Sequence, residues 1–236
     1  VPHALVRWLS KYAVCSRSEA RAIVKAGRVS VAGRVVRDPE FPCHPARQEI
    51  RIDGKRLCAP ERVSLALHKP VGFITTARDP EGRPTAYDLL PPGIPRVQAA
   101  GRLDAESSGL LVFTNDTDLA AALTEASGQV EKDYLVTVKG AVRDEDAARF
   151  EEGLVLAGRR TRPARCQILG REGETTRLRI VLREGRNRQI RKMLDHLGYP
   201  VVSLHRCRIG AIRLGRLPPG GTRPLTAAEI TDSKMK

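Results

Sequence analysis

The sequence predicts an α+β protein in two unequal units: a small N-terminal helix–helix–hairpin module, then a larger unit on a mixed, mostly antiparallel sheet. Three observations predict it. The first 58 or so residues read as two helices followed by short strands. In the remainder, strand-like segments outnumber helical ones and do not alternate strictly with them, unlike a doubly wound parallel sheet. Finally, 236 residues with 41% hydrophobic side chains exceed one average domain and can fill a real core. The division is placed at residues 1–58 and 63–236, with Cys58 to Arg62, containing Pro60, as the linker.

In the first unit, Leu5, Leu9 and Tyr12 fall on one helical face. Ser16 and Glu19 have the spacing of a capping box, with Ala20, Ile23 and Val24 as the buried stripe behind it. Gly27 stops this helix. Alternating Val29 and Val31, an Ala32-Gly33 turn and Val35 then read as a hairpin. Arg17, Arg21, Lys25 and Arg28 lie away from the apolar stripe, which fits either a solvated face or a docking face.

The second unit opens with a strand through Val63, Leu65 and Leu67 that ends at Lys69-Pro70-Val71-Gly72. Loops rich in turn formers follow, Asp79 to Pro84 and Pro91 to Pro95. Further strands are expected at Gly109–Thr114, Asp133–Val138, Arg165–Leu169, Thr176–Arg183 and Val201–Arg206. Helices are expected at Asp118–Ala126, Arg143–Glu152 and Asn187–Leu197, the last capped by Asn187.

Charge narrows the function. The net charge is +14, from 41 basic and 27 acidic side chains, and it favours a polyanionic partner. Residues 1–62 hold +7 and residues 182–216 another +7, so the remainder sums to about zero. Two separate patches suit an extended polyanion better than a small phosphate ligand. Arg supplies 32 of the cations, which fits either bidentate phosphate recognition or a compositional bias toward Arg. No apolar run approaches the ~18 residues of a membrane span, and no secretory signal is read at the start. The five cysteines form no C-x-x-C pair and complete no zinc site with the histidines, so reduced thiols in the cytoplasm and no metal are expected.

Three constellations could carry chemistry. Asp104 lies in a loop bounded by Gly101 and Gly109, directly before a buried apolar strand. A carboxylate at a core edge can act as nucleophile or base, though such an Asp also suits a turn or a cap. Lys132 and Tyr134 share one face of a strand, where a ring could stack a flipped base beside a phosphate-binding ammonium, or simply half-bury. Arg186, Arg188, Gln189, Arg191 and Lys192 surround a helix start, either as an anion site or as a basic surface helix.

Whole strings then carry two resemblances. Ser16-Arg17-Ser18-Glu19-Ala20 through Lys25 to Gly33 resembles the RNA-binding domain first known from small-subunit ribosomal protein S-four. That resemblance implies phosphate-mediated docking on structured RNA through Arg17, Arg21, Lys25 and Arg28. Gly101-Arg102-Leu103-Asp104 with Ser108-Gly109-Leu110-Leu111 and Thr114-Asn115-Asp116 resembles the signature of ribosomal RNA pseudouridine synthases, in the branch of the small-subunit enzyme and its large-subunit relatives. Lys132-x-Tyr134 and Glu184-Gly185-Arg186-x-x-Gln189-x-Arg191-x-Met193 resemble that family's second and third motifs, and Lys69-Pro70-Val71-Gly72 its structural first motif. Arg188 stands where many relatives carry His.

The resemblance implies isomerisation of uridine to pseudouridine in ribosomal RNA, without cofactor or metal. Asp104 inherits the nucleophile's role. Tyr134 would pack on the uracil and assist proton removal, and Arg191 would pair with Asp104. Leu103 and Leu182 would wall the pocket, while Arg102, Lys132, Arg186, Arg188 and Gln189 would hold the flanking RNA. The expected partner of this monomer is ribosomal RNA or a subunit-assembly intermediate, and no membrane. The alternative is a non-catalytic RNA-binding assembly factor, which loss of Asp104, Tyr134 or Arg191 would favour; all three are present. The tail from Leu204 to Thr226 leans to the small-subunit enzyme. The Asp79 to Thr85 loop and Gly185 to Arg188 lean to the large-subunit relatives.

Overall fold

The computed structural model describes residues 3–12, 15–124 and 130–235. The chain forms two compact units: residues 1–63 with 93–98 and 115–117, and residues 64–92, 99–114 and 118–236.

The N-terminal unit begins with α1 (Leu5–Lys11) and α2 (Arg17–Lys25). The capping box closes α2 as its sequence requires: the Glu19 amide donates to Ser16 Oγ (3.2 Å), and the Ser16 amide donates to Glu19 Oε2 (2.6 Å). Ala20 and Val24 are fully buried against Leu5, Leu9, Val29, Val31 and Ile50, with Ile23 and Tyr12 packed at the edge. Gly27 at φ +74° lets the chain leave the helix.

A four-stranded sheet follows, β1 (Val29–Val31), β2 (Arg34–Val36), β3 (Ile50–Ile52) and β4 (Lys55–Arg56), in the order β2-β1-β3-β4. Ala32 (φ 49°) and Gly33 (φ 80°) make the two-residue turn, whose positive φ values match the twist of the flanking strands. That turn pairs Val29 with Val36 and Val31 with Arg34, so Val36 faces the core while Val35 is 61% exposed. A period-2 reading through Val29, Val31 and Val35 misses this because the tight turn sets the register.

The larger unit is built on one nine-stranded sheet. Its main strands are β5 (Ser64–Lys69), β6 (Ser108–Thr114), β7 (Lys132–Lys139), β8 (Arg165–Glu172), β9 (Thr175–Leu182), β10 (Val201–Ile209) and β11 (Thr222–Pro224). They run in the order β8-β9-β7-β10-β6-β5-β11. Every pairing along that path is antiparallel except β10 with β6, which run parallel and pair His205 with Ser108 and Arg206 with Gly109.

Helices α4 (Asp144–Glu152) and α5 (Gln189–His196) bury Phe150, Ile190, Met193 and Leu194 with Val136, Val138, Leu178 and Ile180 of the sheet. A second cluster joins Leu110, Val112, Leu119 and Leu123 with Ala66 and Ile209. Leu119 and Leu123 come from α3 (Thr117–Thr124); residues 125 and 126 of the helix expected there lie outside the described residues. A C-terminal helix α6 (Ala227–Lys234) was not anticipated, although Thr226 and Glu229 have the capping-box spacing and form the box. No helix among the described residues is long and apolar enough to cross a membrane.

The start of α5 corrects one expectation. Asn187 does not cap the helix. Arg188 occupies the cap position in the left-handed region (φ 51°, ψ 35°), and Asn187 Oδ1 accepts from Lys192 Nζ instead (3.2 Å). A capping side chain reaches the first amides from extended backbone, which Arg188 does not have. Gln189 turns back to accept from the Arg186 amide (3.0 Å) and closes the preceding turn.

Candidate active site

Asp104 sits on the turn that leads into β6, and its neighbours are gripped from three directions. Thr75 Oγ1 donates to the Leu103 carbonyl (2.8 Å) and accepts from the Leu103 amide (3.2 Å). The Gly72 amide donates to the Ala105 carbonyl (2.8 Å). Arg206 Nη1 donates to the Arg102 carbonyl (3.3 Å). The backbone on both sides of Asp104 is thereby fixed, while the carboxylate itself stays 39% exposed.

Two buried cations lie beneath this turn. Arg206 is 3% exposed on β10, directly across from Tyr134 on β7 and from Gly109 on β6. Its Nε donates to the Leu110 carbonyl (2.8 Å), and its Nη2 is buried without a hydrogen-bond partner among the described residues. Gly109 (φ +108°) makes the approach possible, since a Cβ there would lie 2.3 Å from the Arg206 carbonyl oxygen. Lys69 is fully buried and donates from Nζ to the carbonyls of Pro70 (2.8 Å) and Phe73 (2.7 Å). Burial pulls its ammonium down to about 8, the Asp104 charge opposes that shift, and Arg206 adds to it. Lys132 is lowered too, first by burial and then by Arg206.

Tyr134 is 7% exposed and pairs across the sheet with Ile180, as Lys132 does with Leu182. At the start of α5, Arg188 Nη1 lies 4.0 Å from Asp104 Oδ2, and its Nη2 donates to Glu106 (3.1 Å). Arg191, expected to pair with Asp104, donates from Nη2 to the Glu106 carbonyl (3.2 Å) and Ser107 Oγ (3.4 Å). No ion pair joins it to Asp104 among the described residues. The reason is the left-handed residue before α5, which brings Arg188 to the carboxylate and leaves Arg191 one turn further along, over the backbone of the Asp104 loop.

These side chains converge. Arg102, Leu103, Asp104, Lys132, Tyr134, Leu182, Arg186, Arg188, Gln189 and Arg191 all line a single cleft of about 750 Å³. The same cleft also takes Ser107, Arg159, Arg162 and Arg206, which sequence reasoning did not assign. The run Arg159-Arg160-x-Arg162 was a visible signal; burial of Arg206 on a strand was not. The four remaining expected residues, Arg17, Arg21, Lys25 and Arg28, are exposed on the N-terminal unit, where Arg21 pairs with Glu40 (2.9 Å) and Arg28 with Asp53. No group of three or more His, Cys, Asp or Glu among the described residues could hold a metal ion.

Such a cleft, with a clamped carboxylate, a buried ring and a basic rim, suits chemistry on one residue of a polyanion. Family comparison agrees: residues 63–196 match the RNA pseudouridylate synthase model, and residues 5–49 match the S4 domain. The chain belongs to the RNA pseudouridylate synthase family. The synthase is 32% identical over 219 residues to the ribosomal large subunit pseudouridine synthase B of Bacillus subtilis, covering 92% of this chain and 89% of that one. It is 38% identical over 222 residues to the protein of the same name from Escherichia coli K12, covering 91% and 76%. A crystal structure of a pseudouridylate synthase superposes with a TM-score of 0.71 at 29% identity, over 98% of this synthase and 99% of that chain.

Proposed function

We propose that this synthase isomerises a uridine of large-subunit ribosomal RNA to pseudouridine, with Asp104 as the nucleophile. The observation that carries the proposal is the meeting of Asp104, Tyr134 and the α5 arginines in one cleft. The names of the relatives in B. subtilis and E. coli and the Asp79 to Thr85 loop support the large subunit over the small. The alternative of an idle, purely RNA-binding second unit has no observation in its favour.

In the proposed reaction the uridine leaves its stack, at a cost of a few kcal/mol that phosphate contacts offset. Asp104 attacks the ribose or the base, forming a covalent adduct, and the N-glycosidic bond breaks. The base turns, carbon 5 joins the ribose, the bond to Asp104 is released to regenerate the carboxylate, and carbon 5 loses its proton while N1 gains one. Tyr134 packs on the uracil and assists that proton, with Leu103 and Leu182 as the apolar wall. Arg188 holds the carboxylate before RNA arrives. Arg191 is the partner we assign to Asp104 once the uridine is seated: its buried Nε meets only the Glu106 carboxylate, at 3.6 Å, and makes no hydrogen bond among the described residues. Arg102, Lys132, Arg186 and Gln189 organise the cleft around the flanking nucleotides, and Arg17, Arg21, Lys25 and Arg28 dock the N-terminal unit on structured RNA.

The proposal places the domain division at 1–58 and 63–236, which keeps both family matches whole. It also takes the enzyme to act as a cytoplasmic monomer, on free ribosomal RNA or an assembly intermediate; five free thiols fit a reducing compartment. Mapping pseudouridines in ribosomal RNA from cells carrying wild-type or Asp104→Asn protein tests it. One large-subunit position should lose its pseudouridine in the variant. No difference at any ribosomal RNA position would refute the reading.

A further inference from the structure

The cleft has a wall that none of the recognised motifs supplies. After α4 the chain forms a short hairpin in which Val155 pairs with Arg160 and Leu156 with Arg159, turning at Ala157 (φ 46°) and Gly158 (φ 75°). Its base is locked. Leu154 and Thr161 exchange hydrogen bonds, amide to Thr161 Oγ1 (3.0 Å) and Thr161 amide to carbonyl (2.8 Å). Gly153 (φ +76°) lets the two arms meet, since a Cβ there would lie 2.4 Å from the Thr161 carbonyl oxygen. Arg160 folds back to the carbonyls of Glu152 (3.2 Å) and Gly153 (3.0 Å).

Arg186 then ties this hairpin to the approach of α5. Its Nη2 donates to the Arg160 carbonyl (2.7 Å), its Nη1 to the Arg159 carbonyl (3.5 Å), and its Nε to Glu184 (3.2 Å). All three guanidinium nitrogens of Arg186 are therefore engaged within the protein. By contrast, the exposed Arg159 guanidinium has no carboxylate or hydrogen-bond partner among the described residues, and it lines the cleft together with Arg162. Arg162 is placed by its amide, which donates to Glu184 Oε1 (3.0 Å).

We propose that the Val155 to Arg162 hairpin is a dedicated grip for the RNA backbone, in which Arg159 and Arg162 take phosphates of the strand flanking the target uridine while Arg186 acts as the anchor that positions them. The inference rests on the RNA-modifying reading above. The ligand chemistry is the phosphodiester: the hairpin offers guanidinium donors, carries no aromatic ring to stack a base, and contributes no carboxylate of its own to repel phosphate. A backbone that is already fixed loses less freedom on binding than a mobile loop, so the locked base lowers the cost of bringing the arginine side chains to a phosphate.

The test uses the full chain and a transcribed large-subunit RNA fragment containing the position mapped as above. Arg159→Ala/Arg162→Ala, Arg159→Glu and Arg186→Ala are compared with wild type for KM, kcat and the salt dependence of RNA binding. The double variant should raise KM about tenfold with kcat within twofold, and flatten the slope of log Kd against log salt by about 0.7 per arginine. Arg186→Ala should weaken binding in the same direction, and adding it to the double variant should cost little more, because anchor and grip act as one unit. Arg159→Glu, an exposed substitution that leaves the hairpin base intact, should raise KM further than the double alanine variant. Unchanged KM and slope in a wild-type background that forms pseudouridine would overturn the grip alone; absence of pseudouridine with wild type would overturn the functional reading instead.

Discussion

The two basic patches carry equal charge and use it differently. On the N-terminal unit, Arg21 and Arg28 are about half exposed and, among the described residues, pair with the surface carboxylates Glu40 and Asp53. In the other patch Arg206 is buried and donates from Nε and Nη1 to backbone carbonyls, as the buried Lys69 outside it also does, and Arg186 does the same at the rim. Exposed cations act on the partner through a screened field. Buried ones shape the chain, because leaving their carbonyl partners unpaired would be costly. On the proposed reading, one patch attracts the polyanion, whereas the other builds the cleft.

The comparison can be broken in order of expected effect. Asp104→Asn should reduce pseudouridine formation by more than about 1,000-fold while RNA binding changes less than threefold, measured by tritium release and filter binding. Arg206→Leu comes next: it strands the Leu110 and Arg102 carbonyls and should lower unfolding free energy by about 3 kcal/mol in urea titration, with kcat falling as the Asp104 turn loosens. Replacing Arg17, Arg21, Lys25 and Arg28 together by Ala should raise KM about tenfold and flatten its salt dependence, with a change in melting temperature too small to matter. If the quadruple variant instead lost kcat and kept KM, the division of labour would be wrong.

Two smaller effects sharpen it. The Lys69 ammonium lies at about 8, below its ordinary 10.5, so the folded state binds fewer protons than the unfolded chain between those values. Stability referred to this group is therefore lowest below pH 8 and rises as pH climbs toward 10.5. A Lys69→Met protein should lose that rise, read as the difference between wild-type and variant urea midpoints from pH 7.5 to 10. Arg188→Gly relieves a left-handed non-glycine residue and should stabilise by up to about 1 kcal/mol, yet lower activity by removing the guanidinium 4.0 Å from Asp104.

Much of this was legible in the residues, for physical reasons. The α2 capping box and the buried stripe behind it are local, and the fold had no reason to override them. The long apolar run into β6 and the Lys132-x-Tyr134 strand carry their periodicity openly, and the Gly-Arg-Leu-Asp string marked the cleft. What was hidden is non-local. Nothing near Arg206 in sequence shows that it lies between Tyr134 and Gly109. The exchange of Arg188 for Arg191 beside Asp104 depends on one left-handed residue, whose identity as Arg gives no warning of positive φ. The tight turn that buries Val36 instead of Val35 is the same lesson on a smaller scale.

The parallel pairing in the main sheet, β6 with β10, has a consequence for the order in which the molecule comes into being. A chain synthesised as far as α5 already contains Asp104, Tyr134 and Arg191, but the strand that seats Arg206 against Gly109 begins only at Val201. Contacts so distant along the chain close late. A ribosome making this protein thus releases Asp104, Tyr134 and Arg191 before it releases the wedge that fixes the Asp104 turn, and a protein stalled or cut short near residue 196 would hold those three side chains without the Arg206 contact to the Arg102 carbonyl.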